Sequence, residues 1–170
     1  MLDVLRQESG GSHRKKEETL NLAYEDACMK GTLRPGNGWQ EVRLPRQARG
    51  RYFCLEGLSA QDGGNVAAIA EMEVLGPGGK PLSREHWKIR YADSEESLGG
   101  NHTADKIFDL QESTYWRSGI KTAYPHQLVI DLGEECSVTG FRYLPRAEKG
   151  APGMVKDFRV YVKKSDFLYR

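Results

Sequence analysis

From residue 39 onward the sequence contains a series of short segments in which apolar and polar residues alternate. The segments read WQEVRL, RYFCLEGL, HWKIRYA, HQLVIDLG, VTGFRYL and KDFRVYV, and glycine or proline separates most of them. Alternation is typical of a strand with one buried face, because successive side chains of a strand point to opposite faces of its sheet. No long helical segment lies between the strands, which argues against a parallel βαβ sheet. The pattern therefore predicts an all-β protein built as an antiparallel β-sandwich.

Length and charge narrow the possible functions. The 170 residues suffice for one domain with one core, and they are too few for a (β/α)₈ barrel of roughly 250 residues. The formal net charge of +1 predicts no nucleic-acid partner, and no apolar run is long enough to enter a membrane. The start, MLDVLRQESGG, has no signal-peptide pattern. We expect either a cytoplasmic protein or a piece of a longer secreted one.

The three cysteines, Cys28, Cys54 and Cys136, are far apart in the sequence. An odd number without CxxC spacing argues against a disulfide framework or a zinc site, and it favours small apolar side chains. Residues 1–37 are interpreted as an N-terminal arm. A helix is predicted from Lys15 to about Met29, where leucines and alanines could share one face.

Five stretches carry a resemblance to a known family. In order they are WKIRYADSEE, FDLQESTYW, PHQLVIDLG, TGFRYLPR and GMVKDFRVYV, within residues 85–164. They resemble the first half of the discoidin domain, also called the coagulation factor 5/8 type C domain. The branch they resemble most is the galactose-binding-like carbohydrate-binding module family 32. The resemblance implies an eight-stranded jelly-roll β-sandwich.

Residues 38–76 resemble the second half of such a domain, so the two halves stand in inverted order. Either the chain straddles two tandem modules, or residues 38–80 and 81–170 complement each other in one permuted sandwich or a swapped oligomer. Complementation is favoured, because each part alone would leave sheet edges unpaired and one apolar face wet.

The resemblance also implies a structural calcium ion in the loop IFDLQESTYW, residues 107–116. Calcium takes six to eight oxygen ligands. The matching ligands are Asp109, Gln111 and Thr114, with Ala70 and Glu71 from the other part of the chain. The family's glycine is Leu110 here, which costs energy if that position requires positive φ. The alternative is a polar turn beside an ordinary buried Trp116.

The sugar site that the resemblance implies is only partly kept. Arg146 stands at the family's arginine, and Arg117 replaces its histidine. Asn65 and Tyr124 are the remaining candidate ligand-binding residues, Tyr124 as a replacement aromatic platform. Two arginines would suit an acidic or sulfated sugar, because guanidinium pairs bidentately with carboxylate and sulfate. Ordinary surface arginines are the alternative.

No motif for a catalytic nucleophile, a zinc protease or a phosphate loop is present. We therefore expect no enzyme but a noncatalytic module that holds a bacterial glycan-degrading enzyme on its glycan, outside the cell or in the periplasm. Its partners would be a glycan and a catalytic glycoside hydrolase domain. Two alternatives stay open. One is a protein-interaction or spacer module of the same fold, and the other is a fragment of a glycoside hydrolase without its catalytic domain.

Overall fold

The computed structural model describes residues 18–97 and 99–170, and their regular secondary structure consists almost entirely of antiparallel strands. The strands are β1 (Leu20–Asn21), β2 (Met29–Thr32), β3 (Gln40–Gly57), β4 (Ala68–Ile69), β5 (Glu71–Leu75), β6 (Lys88–Ala92), β7 (Trp116–Arg117), β8 (His126–Leu144), β9 (Asp157–Lys163) and β10 (Leu168–Tyr169). Two 3₁₀ segments, Pro77–Gly79 and Ala104–Phe108, are the helical elements of the described residues. The predicted all-β class is confirmed.

Two long strands dominate the sheet. The segments WQEVRL and RYFCLEGL, predicted as separate strands, belong to the single strand β3, and HQLVIDLG and VTGFRYL both belong to β8. The sequence between each pair of segments stays in the ladder, with Ala48 opposite Val138 and Gly50 opposite Cys136. The breaks in alternation between these segments therefore correspond to irregularities in the β3–β8 ladder and not to turns.

The ladder of β3 and β8 folds over so that its two ends face each other. Phe53 pairs with Ile130 at one end, and Val42 pairs with Phe141 at the other. A straight strand would separate Ile130 from Phe141 by about 36 Å. The rings of Phe53 and Phe141 nevertheless lie 5.9 Å apart in an edge-to-face contact. The core therefore lies between two layers that share the same long strands, which is the predicted sandwich.

The bend depends on residues that alternation alone does not explain. The register shifts between Arg43 and Ala48, a stretch that contains Pro45, which has no N–H to donate to a ladder. At Gly50, an added Cβ would lie 2.5 Å from the carbonyl oxygen of Lys163. Glycine allows the strands to approach there without a clash.

Strands from both parts of the chain complete the main sheet. Its order is β2-β9-β3-β8-β5, and β6 also pairs with β8. β3 and β5 belong to residues 38–80, whereas β6, β8 and β9 belong to residues 81–170. β3 lies between β8 and β9, so a strand of the first part is enclosed by two strands of the second.

The predicted N-terminal helix is wrong for residues 18–29, and residues 15–17 lie outside the described residues. Instead, Leu20 pairs with Tyr169 through β1, and β2 joins the sheet edge with Met29 opposite Val160. The unpaired edge of β9 offers hydrogen bonds that a lone amphipathic helix would not satisfy. The described part of the arm is thus integrated into the fold.

The main core contains Phe53, Met72, Trp116, Phe141 and Phe158 between the layers. A second apolar cluster lies around Tyr91 and Tyr161, and Leu20 of β1 belongs to it. All three cysteines are free thiols: Cys54 is buried, and Cys28 and Cys136 are half-buried.

Candidate functional site

The loop of residues 107–116 is held at both ends by apolar side chains. Ile107 is fully buried at its start, and Phe108 packs edge-to-face on Trp87 with ring centroids 5.6 Å apart. Trp116 is buried at its end, and its indole Nε1 donates a hydrogen bond of 3.0 Å to the carbonyl of Ser94. The polar residues between these anchors are therefore confined to a defined turn.

Asp109 organises this turn. Its Oδ1 accepts a hydrogen bond of 3.0 Å from the amide of Gln111, and its Oδ2 accepts one of 2.5 Å from the hydroxyl of Thr114. The same hydroxyl lies 3.1 Å from the carbonyl oxygen of Gln111. Leu110 has φ 66°, which is the left-handed conformation expected for the family's glycine. The turn keeps its shape although leucine disfavours it.

Glu71 of β5 faces this turn from the other part of the chain. It is almost fully buried, and its Oε1 accepts a bond of 2.7 Å from Arg84. Its Oε2 is inaccessible and has no hydrogen-bond partner among the described residues. The pKa of Glu71 is raised to about 7, because burial and Asp109 raise it by more than Arg84 lowers it. Within the described residues, a buried carboxylate therefore lies beside the half-buried Asp109, with Arg84 as its ion-pair partner.

These residues fit a calcium ion. A buried carboxylate oxygen without a partner next to a second carboxylate is a site where a cation would relieve repulsion. Glu71 and Asp109 would supply carboxylate oxygens, and Gln111 and Thr114 would supply carbonyl and hydroxyl oxygens. Ala70, fully buried, directly precedes Glu71. The described residues contain no cluster of three or more His, Cys, Asp or Glu side chains, so the set depends on backbone oxygens.

Arg117 and Arg146, the arginine pair, lie near one another around His102. Burial lowers the pKa of His102, a backbone hydrogen bond at Tyr115 raises it, and both guanidinium groups lower it further. The Arg146 guanidinium lies over the Tyr115 ring at 4.1 Å, and that ring stacks on His102 at 4.2 Å. The structure thus brings together two of the four candidate ligand-binding residues.

Tyr115 and His102 were not found by sequence reasoning. One signal was available: in extended backbone, the direct neighbour of a buried Trp116 points the opposite way, so Tyr115 is expected to face outward. No comparable signal marks His102, because its contact with Tyr115 joins two separate loops.

Asn65 and Tyr124 are grouped elsewhere, around the buried His126. The Nε2 of His126 lies 2.5 Å from the carbonyl oxygen of Asn65. Tyr124 packs edge-to-face on His126 at 4.4 Å and donates its hydroxyl to the carbonyl of Val66 at 2.9 Å. Burial raises the pKa of Tyr124 above its ordinary value. These contacts support the loop before β4, and they leave Tyr124 half-buried instead of presenting it as an open platform.

An open depression of about 230 Å³ lies between that loop and the loop after β8. It is lined by Gln61, Asp62, Gly150, Ala151 and Met154. None of the aromatic rings that the structure describes lines it, so these residues offer no flat apolar surface on which a neutral sugar stacks.

The strands together form an antiparallel β-sandwich, and the loop of residues 107–116 is anchored to it at both ends. Residues 91–167 match the family model of the F5/8 type C domain. The resemblance drawn from the sequence is thereby confirmed over these residues.

The chain is 30% identical over 84 residues to a sialidase of Micromonospora viridifaciens. This alignment covers 47% of the present chain and 13% of the sialidase, so the chain spans a small part of that protein's length. Separately, no helix within the described residues is long and apolar enough to cross a membrane.

Proposed function

We propose that this chain is a noncatalytic carbohydrate-binding module that acts outside the cell or in the periplasm. It would hold a bacterial glycan-degrading enzyme on its glycan and so raise the local concentration of the enzyme. The match to the F5/8 type C domain supports a binding module, and the similarity to a sialidase supports an association with a glycan-degrading enzyme.

The observation that carries the proposal is the arrangement of the arginine pair. Arg117 ends β7, and Arg146 follows two residues after the end of β8. Stacking against Tyr115 holds the Arg146 guanidinium in one orientation before any ligand arrives. Such preorganised planar donors are the kind of polar group that fixes a sugar's orientation in a binding site.

We also propose a structural calcium ion at Glu71 and Asp109. An ion there would join β5 to the loop before β7 and neutralise the two carboxylates. It would stabilise the loop that leads into Trp116 and Arg117, so calcium would support the sugar site without touching the sugar.

One observation favours a protein-interaction or spacer module as the alternative. The depression is lined by no aromatic ring of the described residues, because Tyr124 packs around His126 instead. A fragment of a glycoside hydrolase without its catalytic domain is a further candidate, favoured by the small share of the sialidase that the alignment covers.

A glycan array tests the main proposal. The purified chain is applied with calcium and with chelator, beside Arg146→Ala and the control Arg43→Ala. Arg43 pairs with Glu41 in an exposed ion pair, so its loss removes one charge away from the site. Binding that Arg146→Ala abolishes and Arg43→Ala preserves supports the module; no binding by the folded chain favours the spacer.

A further inference from the structure

Half-buried arginines in this protein show a consistent pattern of pairing. Among the described residues, four of them form an ion pair with a carboxylate that is itself at most one-third exposed: Arg84 with Glu71, Arg90 with Glu18 and Asp166, Arg142 with Glu73, and Arg159 with Glu56. This is the expected outcome, because a partly desolvated charge needs a partner of opposite charge.

Arg117 departs from this pattern. Its side chain is half-buried, and its Nε is inaccessible without a hydrogen-bond partner in the part of the chain that the structure describes. No carboxylate of those residues forms an ion pair with it. The fold has desolvated a guanidinium without supplying its counter-ion, and that counter-ion has to come from outside the described residues.

Arg146 departs in a different way. Its side chain is 12% exposed, yet its carboxylate partner is Glu148, whose side chain is 69% exposed and only two residues away. The two groups are 2.5 Å apart, and the Nε of Arg146 also lacks a partner among the described residues. A pair of this kind adds little stability, because water competes for an exposed carboxylate. Glu148 can therefore leave at small cost, whereas Arg146 stays in place on Tyr115.

We infer that the arginine pair binds the anionic group of an acidic sugar, and that the Glu148 carboxylate occupies the Arg146 part of this position until the ligand displaces it. The inference rests on the proposed glycan-binding function and names its ligand class. A carboxylate or a sulfate matches the guanidinium fork, and either would pair with Arg117, which no carboxylate of the described residues does. Glu148 marks where one oxygen of the anion lies.

This arrangement gives Glu148 a definite effect on selectivity. The Glu148 carboxylate competes with an anionic ligand for Arg146 and repels that ligand. It therefore weakens the binding of anionic sugars and leaves the binding of neutral sugars almost unaffected. Removing its charge should tighten the binding of anionic sugars, and removing Arg117 should weaken it. Competition by Glu148 predicts that the two substitutions change the affinity for anionic sugars in opposite directions. A general effect of surface charge would not depend on whether residue 117 carries a guanidinium or an ammonium group.

Three matched ligands test the inference: methyl galactoside, methyl galacturonide and the 6-sulfate of methyl galactoside. Titration calorimetry measures each of them on the wild-type chain and on Glu148→Gln, Arg117→Gln and Arg117→Lys, with Arg43→Gln as the control for charge. Circular dichroism melts establish that each variant is folded. The carboxylate and sulfate arms distinguish the two sources of the anion.

We expect the wild-type chain to bind at least one charged ligand about tenfold or more tighter than the neutral one, as a charge-assisted pair requires. Glu148→Gln should strengthen that preference. Arg117→Gln should abolish it, and Arg117→Lys should recover only part of it because lysine lacks the fork. Equal binding of neutral and charged ligands, unaltered in Glu148→Gln, overturns the inference and leaves the module function standing. No binding of any sugar in this set or on a glycan array overturns both.

Discussion

Replacing Glu71 with glutamine tests whether the loop of residues 107–116 is built for a cation. In the cation-free protein, the pKa of Glu71 is raised from 4.5 to about 7, first by burial and then by Asp109. The folded state therefore holds a proton that the unfolded state has lost between these two values. The free energy of unfolding must fall as pH rises through this window. At 1.36 kcal/mol per pKa unit, the loss is about 3 kcal/mol.

Glutamine resembles the protonated carboxyl group and can still accept a hydrogen bond from Arg84. We therefore expect Glu71→Gln to equal the wild type at about pH 4.5 and to be more stable by about 3 kcal/mol at about pH 8, both in chelator. Calcium should reverse the order at high pH. At a thousandfold excess over Kd, it should stabilise the wild type by about 4.1 kcal/mol, which exceeds the deficit of about 3 kcal/mol, and leave the variant unaffected.

Urea unfolding followed by tryptophan fluorescence measures these differences across the pH range. Glu73→Gln is the matched control, because Glu73 lies on the same strand and pairs with Arg142 instead of facing Asp109. It should keep both the pH dependence and the response to calcium. A wild-type stability in chelator that stays level or rises over the window refutes the reasoning, as does equal stabilisation of Glu71→Gln by calcium.

Three further predictions concern the frame around the site. Leu110→Gly should raise the free energy of unfolding by up to about 1 kcal/mol, because Leu110 is exposed and has φ 66°; a loss of stability in urea would contradict this. Burial lowers the pKa of His126, but Asp93 and the Asn65 backbone together raise it more, so its net shift is upward. Protonated His126 should therefore stabilise the fold below about pH 6.5, and this stabilisation should be lost as pH rises. A series of melts in which the melting temperature of His126→Gln falls with pH as the wild type's does would refute it. The fragment 81–170 lacks β3 and should not unfold cooperatively; a sharp calorimetric transition would show that it folds alone.

Alternation was sufficient to predict where strands occur but not how long they are. Each short segment was found because burial of one face imposes a period of two residues. The segments on either side of Pro45 predict two strands, because a break in the period has the same appearance in a turn and in a bulge. Only pairing with β8 shows that the chain continues in one ladder there.

The N-terminal region shows the opposite error. Leucines and alanines at helical spacing predicted a helix, yet Leu20 and Met29 lie in short strands. Propensity describes an isolated segment, whereas the edge of β9 and the apolar surface around Tyr161 offered partners from more than a hundred residues away. No local pattern contains that information.

In the candidate site, too, some features could be predicted from the sequence and others depend on the tertiary structure. The sequence by itself determined the strand periodicity, the anchored polar loop around Asp109, and the two candidate arginines, because each of these depends on residues close together in the chain. Only the tertiary structure decided that Glu71 faces Asp109, that Tyr115 joins Arg146 to His102, and that Arg117 has no internal counter-ion among the described residues. These facts depend on which groups share a desolvated space, and that is fixed when the long strands fold over and bring distant loops together.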